Sequence, residues 1–219
     1  MSDLDALTGL LTRRAFEDEL KKAMEHARAH DASLSLALLD IDKFKLLNDY
    51  YGHVTGDAII QFVADTIRGA TQGVGLAGRY GGEEFALLFP NMEREPTLLA
   101  AERLRAEVDK PHAFPHEGKQ VEISFTLSCG IAAFPLDARS EGELVRKADQ
   151  ALYRAKATGR NKICLAQEER MVTKTTHYPQ TQLERLAKLA QKEGLGEAAL
   201  LREALDDLLI KYGMPEAKS

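Results

Sequence analysis

Tryptophan is absent from this chain and cysteine nearly so, since Cys129 and Cys164 are the only two and neither sits at a metal-binding spacing. That excludes a disulfide framework and a thiolate metal centre, and each cysteine reads as a small core residue. Long apolar runs are missing as well. Nothing approaches the roughly 18 consecutive apolar residues of a membrane-spanning helix, and the opening Met1-Ser2-Asp3-Leu4-Asp5 has no apolar secretory stretch. The expected compartment is the cytoplasm, with no membrane partner. Positive charge is not in excess either. Against 34 Asp and Glu stand 29 Lys and Arg, giving a formal charge of −5, which argues against a globally basic nucleic-acid binder. What is present, 219 residues, suits one domain of about 165 residues plus an appendage.

Chemistry-bearing residues gather in two places. The first is Arg79-Tyr80-Gly81-Gly82-Glu83-Glu84-Phe85, followed by the apolar run Ala86 to Phe89. Two glycines between an aromatic residue and an acidic pair, with strand-like sequence on both sides, read as a tight hairpin. Bare backbone at Gly81 and Gly82 lets a phosphate or base approach closely, and carboxylates at the tip can hold a hard cation. Hairpin turns use such residues for backbone reasons alone, so the weight falls on the second place. There, Leu34 to Leu39 reads as a buried strand, with Asp40 and Asp42 two apart at its end and on one side if the strand continues. Acidic side chains at the end of a buried strand are costly unless they bind something, and the two acidic sites together point to Mg²⁺. Asp42 has a second reading as N-cap of a helix starting near Lys43, whereas Asp40 sits too far inside the strand for that.

Around these motifs the pattern alternates. Helices are expected over about 12–30, 44–50, 57–68, 95–109 and 140–158, the last ending at Gly159 as a C-cap residue. Strands are expected over 34–40, either side of Gly81-Gly82, from 121 to 134 on the alternation of Val121, Ile123, Phe125 and Leu127, and over 162–165. Alternation around an interior hairpin implies an α/β (α+β) layer, helices packed on a mainly antiparallel sheet.

The motifs form an ordered series. Asp5-Ala6-Leu7-Thr8-Gly9-Leu10 comes first, then Asp40-Ile41-Asp42-Lys43-Phe44-Lys45 with Asn48-Asp49, then Gly52-His53-Val54-Thr55-Gly56-Asp57. The glycine hairpin follows, and Ala148-Asp149 through Tyr153, Lys156 and Gly159-Arg160-Asn161 closes the series. Over roughly residues 3–166 this resembles the GGDEF family of diguanylate cyclases, in the GGEEF spelling. The resemblance implies a ferredoxin-like nucleotidyl-cyclase palm over 1–167 and condensation of two GTP into cyclic di-GMP and two pyrophosphates at a homodimer interface. It assigns Mg²⁺, with Mn²⁺ as substitute, to Asp40, the Ile41 carbonyl and Glu83, with Glu84 assisting metal binding or deprotonation. Backbone amides of Lys43, Phe44 and Lys45 would cradle phosphates at a helix start, Gly82 would admit the nucleotide, and Lys45, Lys156 and Arg160 would add positive charge. For Lys156 and Arg160 the plain alternative is a solvated helix end. Base recognition falls to Asn48 and Asp57. A carboxylate shielded from water at Asp57 would accept from guanine's N1–H and exocyclic amine, a donor pair adenine lacks; the alternative is that Asp57 only starts a helix. An inactive GTP- or cyclic di-GMP-binding regulator is the second functional class.

Two departures carry consequences. Many family members have Arg-x-x-Asp upstream of the hairpin as a product-binding inhibitory site; here those positions hold Gln72 and Gly75, so weak or absent product inhibition is expected. Thr12 stands where asparagine is common, a change confined to local capping. Beyond the palm, residues 168–219 add Thr173 to Tyr178 as a short strand, Pro179 as a helix start, and leucines at helical spacing to about Leu209. Strand, helix, turn, helix resembles a ribbon-helix-helix module, which would dimerise because it cannot bury its apolar faces alone. DNA is the alternative partner, read by Thr173, Thr175 and His177, but from Met171 onward seven Lys or Arg balance seven Asp or Glu, and phosphate neutralisation supplies much of DNA affinity. A third reading is a helical hairpin packed on its own catalytic domain.

Overall fold

A computed structural model describes residues 3–166, 176–193 and 196–212. The chain divides into two compact units, Met1–Glu168 and Glu169–Ser219.

At the centre of the first unit lies β2 (Leu34–Ile41), eight residues all buried, as a continuous apolar run between two layers requires. It is flanked on both sides by antiparallel partners, β4 (Glu84–Pro90) and β7 (Leu127–Phe134). With β1 (Leu11–Thr12), β3 (Leu76–Arg79) and β8 (Ile163–Leu165), the sheet order is β1-β3-β4-β2-β7-β8. The edge pairs β1–β3 and β7–β8 are parallel and the inner pairs antiparallel. Between β2 and β7 the chain adds α2 (Phe44–Thr71) and α3 (Arg94–Val108). The resulting βαββαβ unit has its four strands in the spatial order of the ferredoxin-like fold.

Strand periodicity divides the core. Leu34, Leu36 and Leu38 face α1 (Arg13–His30) and α4 (Glu141–Ala157), packing with Phe16, Leu20, Leu144 and Leu152. Ala37, Leu39 and Ile41 face α2 and α3, packing with Ile59, Val63, Ile67 and Leu104. Thr12 caps α1 by accepting from the Ala15 N–H at 3.4 Å, and Ser140 caps α4 through Glu143 at 3.2 Å.

The structure differs from the sequence pattern at two points, and a third expected element lies mostly outside the described residues. The expected strand over 121–134 is two strands in different sheets: β6 (Lys119–Ile123) pairs with β5 (His112–His116) in a separate hairpin turning at Glu117-Gly118, both at positive φ. The alternation ran through the break because Phe125 and Leu127 are buried in the same parity as Ile123, and β5, with two histidines and Pro115, carries little alternation of its own. The helices expected at 44–50 and 57–68 are both present within Phe44–Thr71, separated by a kink at Gly52, φ 79 and ψ 163, so the second begins earlier than expected. The strand expected at Thr173 to Tyr178 lies largely outside the described residues, and Thr176 to Tyr178 have no regular structure. The second unit's described elements are α5 (Gln180–Glu193), preceded by Pro179, and α6 (Glu197–Lys211). Leu183, Leu189, Leu205 and Leu208 lie exposed on them.

Candidate active site

The end of β2 and the glycine hairpin meet. Asp40 is in register with Glu84 across the sheet, the Ile41 N–H donates to the Glu83 carbonyl at 3.2 Å, and the Tyr80 and Gly81 N–H groups close the turn on the Glu84 carbonyl. Asp40, Ile41 and Glu83 therefore occupy one corner. A methyl group at position 81 would lie 2.3 Å from Glu84 Oε2, so a side chain there would displace the Glu84 carboxylate. At Gly82 the reverse holds: among the described residues other than its chain neighbours, no atom lies within 4 Å of the place a methyl group would take, and φ is not left-handed. Open backbone is left beside the carboxylates.

Asp40 and Asp42, both buried, differ in environment. Asp42 Oδ1 accepts from Ser128 Oγ at 2.7 Å, and its Oδ2 accepts from Thr126 Oγ1 at 2.7 Å and the Asn161 N–H at 3.0 Å. It bolts the loops before β7 and after α4 to the end of β2. It does not cap α2: Lys43 holds that position at φ 56, and no side chain closes the cap. Asp40 is paired with a cation, Lys156 Nζ at 2.8 Å from Oδ2. Burial pushes the Asp40 carboxyl above its ordinary range, Lys156 opposes by hydrogen bond and charge, and Glu83 and Glu84 add to the upward push. The solvated reading of Lys156 thus gives way to a paired one. Arg160, past the end of α4 at φ 62, is exposed, with Nε 4.0 Å from Asp42.

At the start of α2, Lys43 and Lys45 are exposed whereas Phe44 is buried in the core, so Phe44 can offer a ligand only its backbone. Uncapped first-turn amides beside Lys45 suit anionic oxygens. One turn on, Asn48 Oδ1 is buried with no hydrogen-bond partner among the described residues. It rests against Gly56, where a methyl group would lie 1.7 Å away. Asp57, next in sequence, is exposed, so the expected shielding from water is not found. It also stands five residues past the Gly52 break, beyond cap positions. A cavity of about 690 Å³ opens beside Lys43 and Arg160, walled by Leu46, Tyr50 and Phe125, and Asn48 lies outside its lining.

Sequence reasoning missed the bracing of the hairpin. Arg79 donates to the Gly82 carbonyl at 2.8 Å and to Asp5 Oδ1 at 3.2 Å. Asp5 in turn accepts from the Thr8 N–H and hydroxyl at 2.9 and 2.7 Å. The partners are 74 residues apart, so no local pattern could signal the contact. Gln72 is exposed at the end of α2, and a methyl group on Gly75 would lie 2.5 Å from the Leu88 carbonyl oxygen.

Residues 2–162 match the family described as diguanylate cyclase, GGDEF domain. The chain belongs to the GGDEF family. Diguanylate cyclase A of Treponema denticola is 35% identical over 172 residues, covering 76% of this chain and 45% of its own. Diguanylate cyclase DgcP of Pseudomonas aeruginosa is 39% identical over 163 residues, covering 74% and 24%. The chain thus spans less than half the length of these relatives. Among solved structures, the GGDEF domain of DgcB from Caulobacter crescentus, in complex with c-di-GMP, superposes with a TM-score of 0.72 at 36% identity, covering 76% of this chain and 96% of that one. The active GGEEF domain of a Vibrio cholerae diguanylate cyclase gives 0.66 at 31% identity, covering 73% and 99%. Among the described residues, no helix is long and apolar enough to cross a membrane.

Proposed function

We propose that this GGDEF chain is a diguanylate cyclase, joining two GTP molecules into cyclic di-GMP with release of two pyrophosphates across a homodimer interface. The observation that carries this reading is the corner where buried Asp40 lies in register with the Glu84 strand beside the open backbone of Gly82. The donor set there fits a divalent cation: Asp40, the Ile41 carbonyl and Glu83 are hard oxygen ligands, and the Lys156 ammonium opposes the like charges around Asp40. Bound there, Mg²⁺ or Mn²⁺ would lower the pKa of an attacking 3′-hydroxyl and neutralise phosphate charge. Glu84 stands next to this set to assist metal binding or deprotonation. Amides of Lys43 to Lys45, with Lys45, Lys156 and Arg160, hold the phosphates. The unpartnered Asn48 Oδ1 awaits a donor such as a guanine amine, and Asp57 closes over the base's N–H groups.

Each such site holds half of the product, so two copies must face each other. We assign the contact between copies to the second unit, whose leucines on α5 and α6 are exposed in one chain. A dimer with Mg²⁺, acting in the cytoplasm, is the form expected to be active. DNA binding is disfavoured by the balanced charge of the tail.

The test is incubation of purified protein with GTP and Mg²⁺, products resolved by mass, with Glu83→Ala alongside. Cyclic di-GMP from the wild type and none from the variant supports the reading. No product from a verified dimer moves the weight to a nucleotide-binding regulator.

A further inference from the structure

We propose that Lys156 is an exchangeable counter-ion that makes divalent-metal binding at Asp40 conditional on nucleotide. The inference rests on Asp40 being a metal ligand, and it adds how that site is kept closed. Helix α4 lies flush on β7, where a methyl group on Gly130 would stand 2.1 Å from the Ala148 carbonyl oxygen and the Leu152 nitrogen. That contact fixes the stem of Lys156 one turn beyond Leu152. From there its ammonium reaches Asp40 Oδ2 at 2.8 Å while the side chain remains 30% exposed, so it is held and yet free to leave.

Three neighbours decide where the ammonium goes when a cation arrives. Asp42 already accepts hydrogen bonds on both oxygens. Glu83 and Glu84 add negative charge to the corner but belong to the hairpin that would take the metal. A bare divalent ion binding Asp40 therefore displaces Lys156 and leaves it beside a like charge with no new partner. A metal–triphosphate complex brings anionic oxygens of its own, and the displaced ammonium transfers to them. Lys156 thus opposes metal alone and favours metal with nucleotide, and by reciprocity the same coupling raises nucleotide affinity when metal is present.

The two effects have opposite signs, which sets the experiment. Binding of Mn²⁺ alone to the full chain is followed by electron paramagnetic resonance, and binding of the Mn²⁺ complex of 3′-deoxy-GTP by calorimetry. Lys156→Met is expected to bind Mn²⁺ alone roughly tenfold tighter than wild type and the Mn²⁺–nucleotide complex roughly tenfold more weakly. Lys156→Gln should behave as Lys156→Met, and Lys156→Arg, which keeps the charge, as wild type. Unchanged or weaker Mn²⁺ binding in Lys156→Met, or an arginine variant that matches methionine, overturns the proposal. Asp40→Asn should abolish Mn²⁺ binding. If it does not, the reading of Asp40 as a ligand fails and takes this inference with it, whereas loss in Asp40→Asn with no gain in Lys156→Met sinks the counter-ion role alone.

Discussion

Neighbouring side chains of one chemical type carry different duties here, and the partners of each decide which. Asp42 is spent on three hydrogen bonds and Asp40 on one lysine, so the first is a brace and the second is available. Glycines divide similarly: Gly56 makes room for Asn48, whereas nothing among the described residues crowds Gly82. Gly56→Ala is accordingly expected to push Asn48 aside, raising KM for GTP about tenfold, the worth of one hydrogen bond to the base, with little change in the circular dichroism spectrum. Asp5 supplies a pH test. Burial pushes its carboxyl up, but hydrogen bonds from Thr8 and the charge and hydrogen bond of Arg79 outweigh that and hold it below its ordinary 3.8. A depressed carboxyl stabilises the fold above its unfolded value and loses that contribution as pH falls through the folded one. The Tm advantage of wild type over Asp5→Asn should therefore be full at pH 7 and shrink progressively below about pH 4.

Elements locate these residues by packing. Strand β2 is central because it is apolar on both faces, and burying it carries its acidic end to the hairpin. Helix α4 delivers Lys156 only because Gly130 lets its backbone touch β7. Gly130→Ala would drive a methyl group into main-chain atoms that cannot rotate away. A loss of about 3 kcal/mol in denaturant unfolding is expected, larger than for a substitution into flexible side chains. At Gly75 the Leu88 carbonyl leaves similarly little room, so the position cannot easily accept the carboxylate of a product-binding motif. Added cyclic di-GMP should leave the initial rate of GTP turnover unchanged; strong inhibition at micromolar product would refute this.

For the whole molecule, the question is how two half-sites are brought together. The first unit holds one set of site residues, and the second carries exposed leucines on α5 and α6. Truncation after Glu168 is expected to yield a folded monomer by light scattering, with turnover per chain reduced at least tenfold at low protein concentration and partly recovered as concentration rises. A truncated chain that remains dimeric and fully active would remove the second unit from this role.

By itself the sequence determined the mainly antiparallel sheet, because strand and helix periodicity are local signals, and short glycine-acid motifs singled out Asp40 and Glu83. The family and Asn48 were named through the resemblance of an ordered series of motifs. Tertiary structure alone decided what depends on distant partners: that Asp42 braces loops rather than caps α2, that Lys156 pairs with Asp40, and that Arg79 ties Asp5 to the hairpin. It also split the stretch from 121 to 134 between two sheets, since burial of one parity continues through a break that only the pairing partners reveal. Pair contacts across a sheet are set by register and packing, and neither is written in any single segment of the chain.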